Sequence, residues 1–271
     1  MSAVENGTKK QELKFGDLHG QVALVTGGGA GIGFESIRLL ASAGADIALI
    51  DRDPAACERV RAEVESFGRR AQAIELDLME IDKIGGAVQE VVDQLGRIDI
   101  LIQLAYLDGA RLGKSEKLLE VEQATWESVF VVNVEAPLFM MQHVGQHMID
   151  RGGGGRIVNV TSSSAFRAQS HIVYGSSKAA LNQMTRTVAA QLGPHGITVN
   201  NVAPGRTMTQ PAIELFGEET LARDAREGSR ANLLGRFARP EEVAAAVFFL
   251  CLPEARAITA ETIHTTAGSG L

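Results

Sequence analysis

The chain is poor in the residues that mark several large protein classes. Of its 271 residues only two are cysteine, Cys57 and Cys251. Neither belongs to a CxxC pair, so a cysteine metal cluster and a disulfide scaffold are excluded, no metal site is expected, and a reducing compartment fits. No apolar run reaches the length of about 18 residues that a membrane span needs. Positive charge is also short: 26 Lys and Arg against 33 Asp and Glu leave a net charge of −7. Such a chain gains no pull toward phosphate backbones or anionic lipids, which argues against nucleic-acid and membrane-surface partners. The first twenty residues are polar and lack the apolar stretch of a signal peptide. They read as a flexible extension (1–20), and a cytoplasmic location is expected.

What is present is a 45% apolar chain long enough to bury a sizeable core. Short apolar runs alternate with stretches of helical periodicity. The runs are Val22 to Val25, Ile47 to Ile50, Ala71 to Leu76, Ile98 to Leu104, Arg156 to Val160, Ile197 to Ala203 and Thr262 to Thr265. They are apolar throughout and do not alternate with polar residues, the pattern of parallel strands covered on both faces. Between them, sets such as Ala56, Val60, Val64 and Phe67, or Leu181, Met184, Val188 and Leu192, recur every three or four residues as one helix face does. Strand and helix in alternation predict a single-domain α/β fold over 21–271: a Rossmann-type doubly wound sheet of about seven parallel strands with helices on both faces. Gly152 to Gly155 reads as a flexible helix-to-strand turn.

Two local patterns carry chemistry. Thr26-Gly27-Gly28-Gly29-Ala30-Gly31-Ile32-Gly33 lies between the first strand and the first helix. Glycines there let the backbone approach a pyrophosphate, and the helix N-terminus supplies free N–H groups. Asp51 follows 24 residues after Gly27, at the end of the second strand. Its carboxylate suits the two adenosine ribose hydroxyls and repels a 2′-phosphate, which favours NAD over NADP; the neighbouring Arg52 works in the opposite sense. The second pattern is Tyr174-Gly175-Ser176-Ser177-Lys178, which sets Tyr174 and Lys178 four residues apart on one helix face. A tyrosine near pKa 10 is a poor base at neutral pH, and a neighbouring ammonium lowers that value. Ser162, twelve residues before Tyr174, is placed to donate a hydrogen bond to a carbonyl oxygen.

Together with Asp77-Leu78, Asn133, Pro204-Gly205, Thr209 and the segment Arg236 to Glu242, these motifs resemble the short-chain dehydrogenase/reductase family, in its branch of roughly 250 residues, from about Gln21 onward. The resemblance implies hydride exchange between a nicotinamide cofactor and a secondary alcohol or ketone. Tyr174 would be the general acid/base. Lys178 would lower its pKa and hold the nicotinamide ribose. Ser162 would polarise the substrate oxygen, and Asn133 would hold a water linking Lys178 to solvent. The cofactor would lie along Gly27, Ala30, Gly31, Ile32 and Gly33, with Asp51 and Arg52 at the ribose and Asp77 and Leu78 at the adenine. Ala105, Tyr106, Thr161, Tyr174, Lys178, Pro204, Gly205, Thr207 and Thr209 would line its nicotinamide half. Residues of about 206–234 would form a substrate lid, and the assembly would be a homotetramer or a dimer.

The chain departs from the family pattern in three places. Gln103-Leu104-Ala105-Tyr106 stands where Asn-Asn-Ala-Gly is usual, so Tyr106 is expected to narrow the nicotinamide pocket and Leu104 to lose contacts that brace the sheet. Thr259-Ala260 and Thr265-Thr266-Ala267-Gly268 replace Thr-Gly and Asp-Gly-Gly. The interval from Ser162 to Tyr174 is one residue short, so Thr161, Ser163 or Ser164 are candidates to share the Ser162 role. Arg167, Gln169, His171 and Arg206 are candidate pocket residues, Arg206 for an acidic substrate group. Two other readings stand beside the enzyme: a dinucleotide-binding sensor or scaffold without turnover, and an NADP-dependent carbonyl reductase.

Overall fold

The computed structural model describes residues 16–168, 171–228 and 231–269. Seven strands, β1 (Val22–Thr26), β2 (Asp46–Asp51), β3 (Ala71–Glu75), β4 (Ile100–Gln103), β5 (Gly155–Val160), β6 (Ile197–Pro204) and β7 (Thr262–Thr265), form one sheet in the order β3-β2-β1-β4-β5-β6-β7. Every pairing is parallel. The fold is therefore the expected doubly wound α/β sheet. The strands fall in the expected places, although β4 is shorter than its apolar run. The inner strands β1, β2, β4 and β6 are buried almost throughout, as apolar residues covered on both faces must be. The edge strands β3 and β7 depart from the expectation of full burial: each has one open flank and its side chains are only partly covered.

Among the described residues the helices are α1 (Gly31–Ser42), α2 (Pro54–Ser66), α3 (Ile84–Leu95), α4 (Gln123–Phe130), α5 (Ala136–Arg151), α6 (Ile172–Leu192), α7 (Gln210–Phe216), α8 (Glu218–Glu227) and α9 (Pro240–Cys251). Helices α1, α2 and α9 cover one face of the sheet through Ile37, Leu40, Val60, Val64, Val243 and Val247. Helices α3 and α5, with the inner side of α6, cover the other through Ile84, Val88, Met140, Val144 and Ala189. Phe67 does not share the buried face of α2: it caps the helix and is half exposed. Gly152 to Gly154 all take positive φ and turn the chain from α5 into β5.

Of the expected N-terminal extension, residues 1–15 lie outside the described residues. In the remainder Leu18 is fully buried and its N–H bonds to the Ala43 carbonyl at 2.9 Å, so the packed body begins before Gln21.

Strand order fixes the site. From β1 the chain moves outward through β2 to β3, then crosses to β4 on the other side of β1 and moves outward again. Loops at the carboxyl ends of β1 and β4 therefore diverge and leave a crevice between them, where open α/β sheets bind ligands.

Candidate active site

The glycine turn leaves β1 and enters α1 at this crevice. Gly27 has φ +70°, and a Cβ there would come within 2.5 Å of the Ala105 amide nitrogen in the loop after β4. A Cβ on Gly33 would come within 2.5 Å of the Gly27 carbonyl. Both positions are closed to larger residues by backbone, so the two loops and the helix start are held at the close approach that a pyrophosphate site needs. Gly31 (φ +54°) faces outward, with Thr209 Cγ2 3.6 Å from where its Cβ would be. Thr209 thus lies over the turn, and the segment after β6 closes the far side of the crevice. Ala30 caps α1 without a side-chain bond, and Ile32 is half buried behind it.

Asp51 ends β2 and folds back on the turn. Its Oδ2 accepts from Gly29 N at 3.1 Å and its Oδ1 from Asp53 N at 3.1 Å. Each oxygen keeps lone-pair capacity for a further donor. Arg59 of α2 donates to the Gly29 carbonyl at 2.5 Å, a brace on the turn that no sequence pattern announced. Arg52 is exposed beside Asp51. Asp77 and Leu78 follow β3 at the same end: Asp77 accepts from Met79 N at 3.0 Å and Leu78 is buried. The donors, the tight backbone and the carboxylate fit a dinucleotide.

On the other side of the crevice, Ser162 follows β5 and Tyr174 lies in the first turn of α6. Ser162 lies beside the Tyr174 phenol in one cavity, and its Oγ accepts from Ser164 N at 3.1 Å. The shortened interval between them has not separated them. Ser163 is buried and Ser164 partly so, and both line the cavity in front of Tyr174. Thr161 is turned into β6, where it bonds to the Val202 carbonyl through both N (2.8 Å) and Oγ1 (3.3 Å). Lys178, one turn along α6, is buried; its Nζ donates to the Val160 carbonyl at 3.0 Å and lies 5.8 Å from the Tyr174 ring centre. Burial dominates both groups. It pushes the Tyr174 phenol well above its ordinary value, which the nearby Ser162 hydroxyl offsets only in part, and lowers Lys178 to about 8.

Asn133 sits in a single π-helical turn, Val131–Glu135, between α4 and α5. Its Nδ2 donates to the Leu107 carbonyl at 2.8 Å and to Ser177 Oγ at 2.9 Å, and its Oδ1 accepts from Leu107 N at 2.8 Å. Both side-chain N–H groups are committed, so any water held by Asn133 must donate to it. Ser177 in turn donates to the Tyr174 carbonyl at 2.8 Å, which ties the π-turn to the start of α6.

The departures at Gln103 to Tyr106 have a clear structural outcome. Leu104 joins the core. Bracing is supplied instead by Gln103, whose Nε2 donates to Asn159 Oδ1 at 2.9 Å; Asn159 donates to Thr185 at 2.8 Å, and Thr185 lies 2.7 Å from Asn201 Oδ1. Ala105 packs against the glycine turn through its N–H on the Thr26 carbonyl. Tyr106 stands edge-on to Tyr174, with ring centres 6.0 Å apart, and is 40% exposed in the cavity wall. It narrows the pocket without filling it: a cavity of about 990 Å³ remains, reaching Tyr106, Ser162, Tyr174, Gly205 and, from α7, Leu215 and Phe216. Pro204 ends β6. Gly205 N bonds to the Thr265 carbonyl at 3.2 Å, and Thr207 Oγ1 to the Gly205 carbonyl at 3.3 Å. Of the other pocket candidates, Arg167, His171 and Arg206 all line the cavity, while Gln169 lies outside the described residues.

A further residue, like Arg59, has no signal in the sequence. Glu116 is buried, and its two oxygens accept from Gly109 N (2.5 Å) and Tyr174 N (2.8 Å). It fixes the start of α6 to the loop after β4. A lone acid in a loop carries no spacing signal, so nothing local could have revealed it.

The comparisons agree with this geometry. A family model described as Enoyl-(Acyl carrier protein) reductase matches residues 27–269. The chain is 36% identical over 249 residues to the short-chain reductase protein NovJ of Streptomyces niveus, covering 91% of this chain and 93% of the relative. This chain belongs to the short-chain dehydrogenase/reductase family. Sorbitol dehydrogenase of Cereibacter sphaeroides is 32% identical, with 93% and 98% of the two chains covered. Among solved structures, carveol dehydrogenase from Mycobacterium avium in complex with NAD superposes with a TM-score of 0.85 at 25% identity, covering 93% of this chain and 98% of that one.

Proposed function

We propose that the protein is an NAD(H)-dependent oxidoreductase that interconverts a secondary alcohol and a ketone, with Tyr174 as general acid/base. The observation that carries the reading is the Tyr174 phenol beside Ser162, with the buried Lys178 ammonium 5.8 Å from its ring centre and the glycine turn across the crevice. Relatives named for sorbitol, galactitol and D-threitol support an alcohol as substrate. Bound in the crevice, a nicotinamide would supply or accept the hydride. Ser162 orients the substrate oxygen, Tyr174 gives or takes its proton, and Lys178 favours the phenolate electrostatically. Ala30, Ile32, Gly31 and Gly33 hold the diphosphate through backbone. Asp51 takes the ribose hydroxyls and disfavours a 2′-phosphate; Asp77 and Leu78 meet the adenine. Pro204, Gly205, Thr207 and Thr209 flank the carboxamide side. The segment 206–234, of which residues 229 and 230 lie outside the described residues, acts as the lid through α7 and α8. A homotetramer in the cytoplasm completes the reading.

Titration with each dinucleotide, followed by thermal unfolding, tests the cofactor. A ligand bound only by the folded state stabilises it by about 2.7 kcal/mol at a hundredfold excess over Kd. NAD is expected to raise Tm and NADP to do so much less, and Asp51→Ala to narrow the gap. Tyr174→Phe should keep NAD binding and lower turnover by about 100-fold or more. Wild-type turnover in that variant, on any alcohol the enzyme oxidises, removes Tyr174 from the mechanism. NAD binding with no turnover on a broad alcohol and ketone panel favours the sensor or scaffold reading.

A further inference from the structure

The walls of the cavity in front of Tyr174 have a charge opposite to that of the protein. The chain carries a net −7, yet among the described residues three guanidiniums, Arg111, Arg167 and Arg206, face this space against the single carboxylate of Asp108. Arg206 is already engaged: it lies 3.6 Å from Asp224 and over the Phe216 ring at 4.4 Å. The other two are held by neutral groups. Arg111 Nη2 donates to the Tyr106 hydroxyl at 2.9 Å, and its guanidinium lies 4.2 Å over the Tyr106 ring. Arg167 Nη1 donates to Ser269 Oγ at 3.1 Å. Among the described residues neither forms an ion pair.

Both arginines are also positioned. Asp108 Oδ1 accepts from the backbone N of Arg111 at 2.8 Å and so fixes the turn that carries it. Phe166, next to Arg167, packs edge-on against His264 of β7 at 4.7 Å, which pins that loop to the C-terminal segment. Arg111 approaches from the loop after β4 and Arg167 from the loop after β5, the two loops that also supply Tyr106 and Ser162. A guanidinium has five N–H donors in a planar fork that matches carboxylate and phosphate oxygens. Each arginine spends one side-chain hydrogen bond on a hydroxyl and retains donors. Immobilising them beforehand lowers the ordering cost that binding would otherwise meet.

We propose that Arg111 and Arg167 form an anion-recognition site in the substrate cavity, so that the preferred substrate is an alcohol or ketone that also bears a carboxylate or phosphate group. This rests on the reading of the cavity as the substrate site. Tyr106 then has a role beyond narrowing the pocket: it is the platform that aims Arg111.

The test is calorimetric titration of the full chain with matched ligands, with and without saturating NADH. One set is sorbitol, gluconate and sorbitol 6-phosphate. The other is 1-phenyl-1,3-propanediol and 3-hydroxy-3-phenylpropanoate. Within at least one set, the anionic member is expected to bind tenfold or more tightly than its neutral counterpart, a margin in the range of charge-assisted hydrogen bonds. The gluconate and sorbitol 6-phosphate arms separate carboxylate from phosphate. Arg111→Gln and Arg167→Gln should each reduce the preference severalfold, and the double variant should abolish it, while the Kd for NADH stays as in the wild type. Intact NADH binding shows that the variants are folded. Equal binding of charged and neutral members, no binding in either set, or a preference that survives in the double variant overturns the proposal. Failure of NADH itself to bind is a different result: it strikes the oxidoreductase reading, whereas the titrations without NADH still decide whether the two arginines select an anion.

Discussion

Lys178 shows how a single side chain is poised by its surroundings. Burial lowers its pKa to about 8, from an ordinary 10.5. The folded protein therefore releases this proton before the unfolded chain does. Between pH 8 and 10.5 the unfolded state binds more protons at this position, so the Lys178 contribution to stability rises with pH across that window. Lys178→Met should remove that rise, seen as a smaller gain in unfolding free energy from neutral to alkaline pH than in the wild type. At neutral pH the group is still charged, and in the proposed mechanism its ammonium favours the phenolate of Tyr174, a residue that burial, with Tyr106 and Asp108, pushes the other way. The rise of kcat/KM for alcohol oxidation with pH should therefore move to higher pH in Lys178→Met and much less in Lys178→Arg. Coincident profiles in all three proteins would mean that the ammonium does not tune the tyrosine.

At the scale of the elements, the C-terminal segment carries backbone strain at its sequence departures. Ala260 and Ala267 adopt φ +64° and +55°. Ala260 stands where the resembling family has glycine, and Ala267 lies within the stretch that replaces the second glycine motif. Their backbones are committed: Ala260 N bonds to the Val199 carbonyl at 2.9 Å, and the Ala267 carbonyl accepts from Leu234 N at 3.2 Å. An L-residue in the left-handed region is disfavoured by about 1–2 kcal/mol, partly offset by the freedom a glycine gains when unfolded. Ala260→Gly and Ala267→Gly should each raise stability by about 0.5–1 kcal/mol, read from the denaturant midpoint. The same scale explains what was legible beforehand. Strands such as Val22–Thr26 and helix faces such as that of α2 are written in neighbouring residues, and so are the glycine turn and the Tyr174–Lys178 spacing. The Glu116 bond to Tyr174 N joins residues 58 apart, and the Gln103–Asn159 bond residues 56 apart. Such pairings exist only once the sheet order is known. The half-covered flanks of β3 and β7 likewise depend on which strands end up at the edges.

For the molecule as a whole, the apolar residues left in view are not confined to the cavity. Trp126 on α4, stacked on Phe130 at 4.3 Å, Leu138 on α5 and Phe249 on α9 are each more than a third exposed. Exposed apolar surface of this kind suits self-association, and light scattering on a sizing column should give the mass of four chains; the mass of one would remove the tetramer. The distribution of aromatic residues has another consequence. The chain has two tyrosines and one tryptophan. Both tyrosines, Tyr106 and Tyr174, line the cavity in front of Ser162, whereas Trp126 lies on α4. The protein thus carries its own optical reporter: any phenolate absorbance that develops in the native state originates in that cavity, and indole emission can be followed separately as a signal from α4.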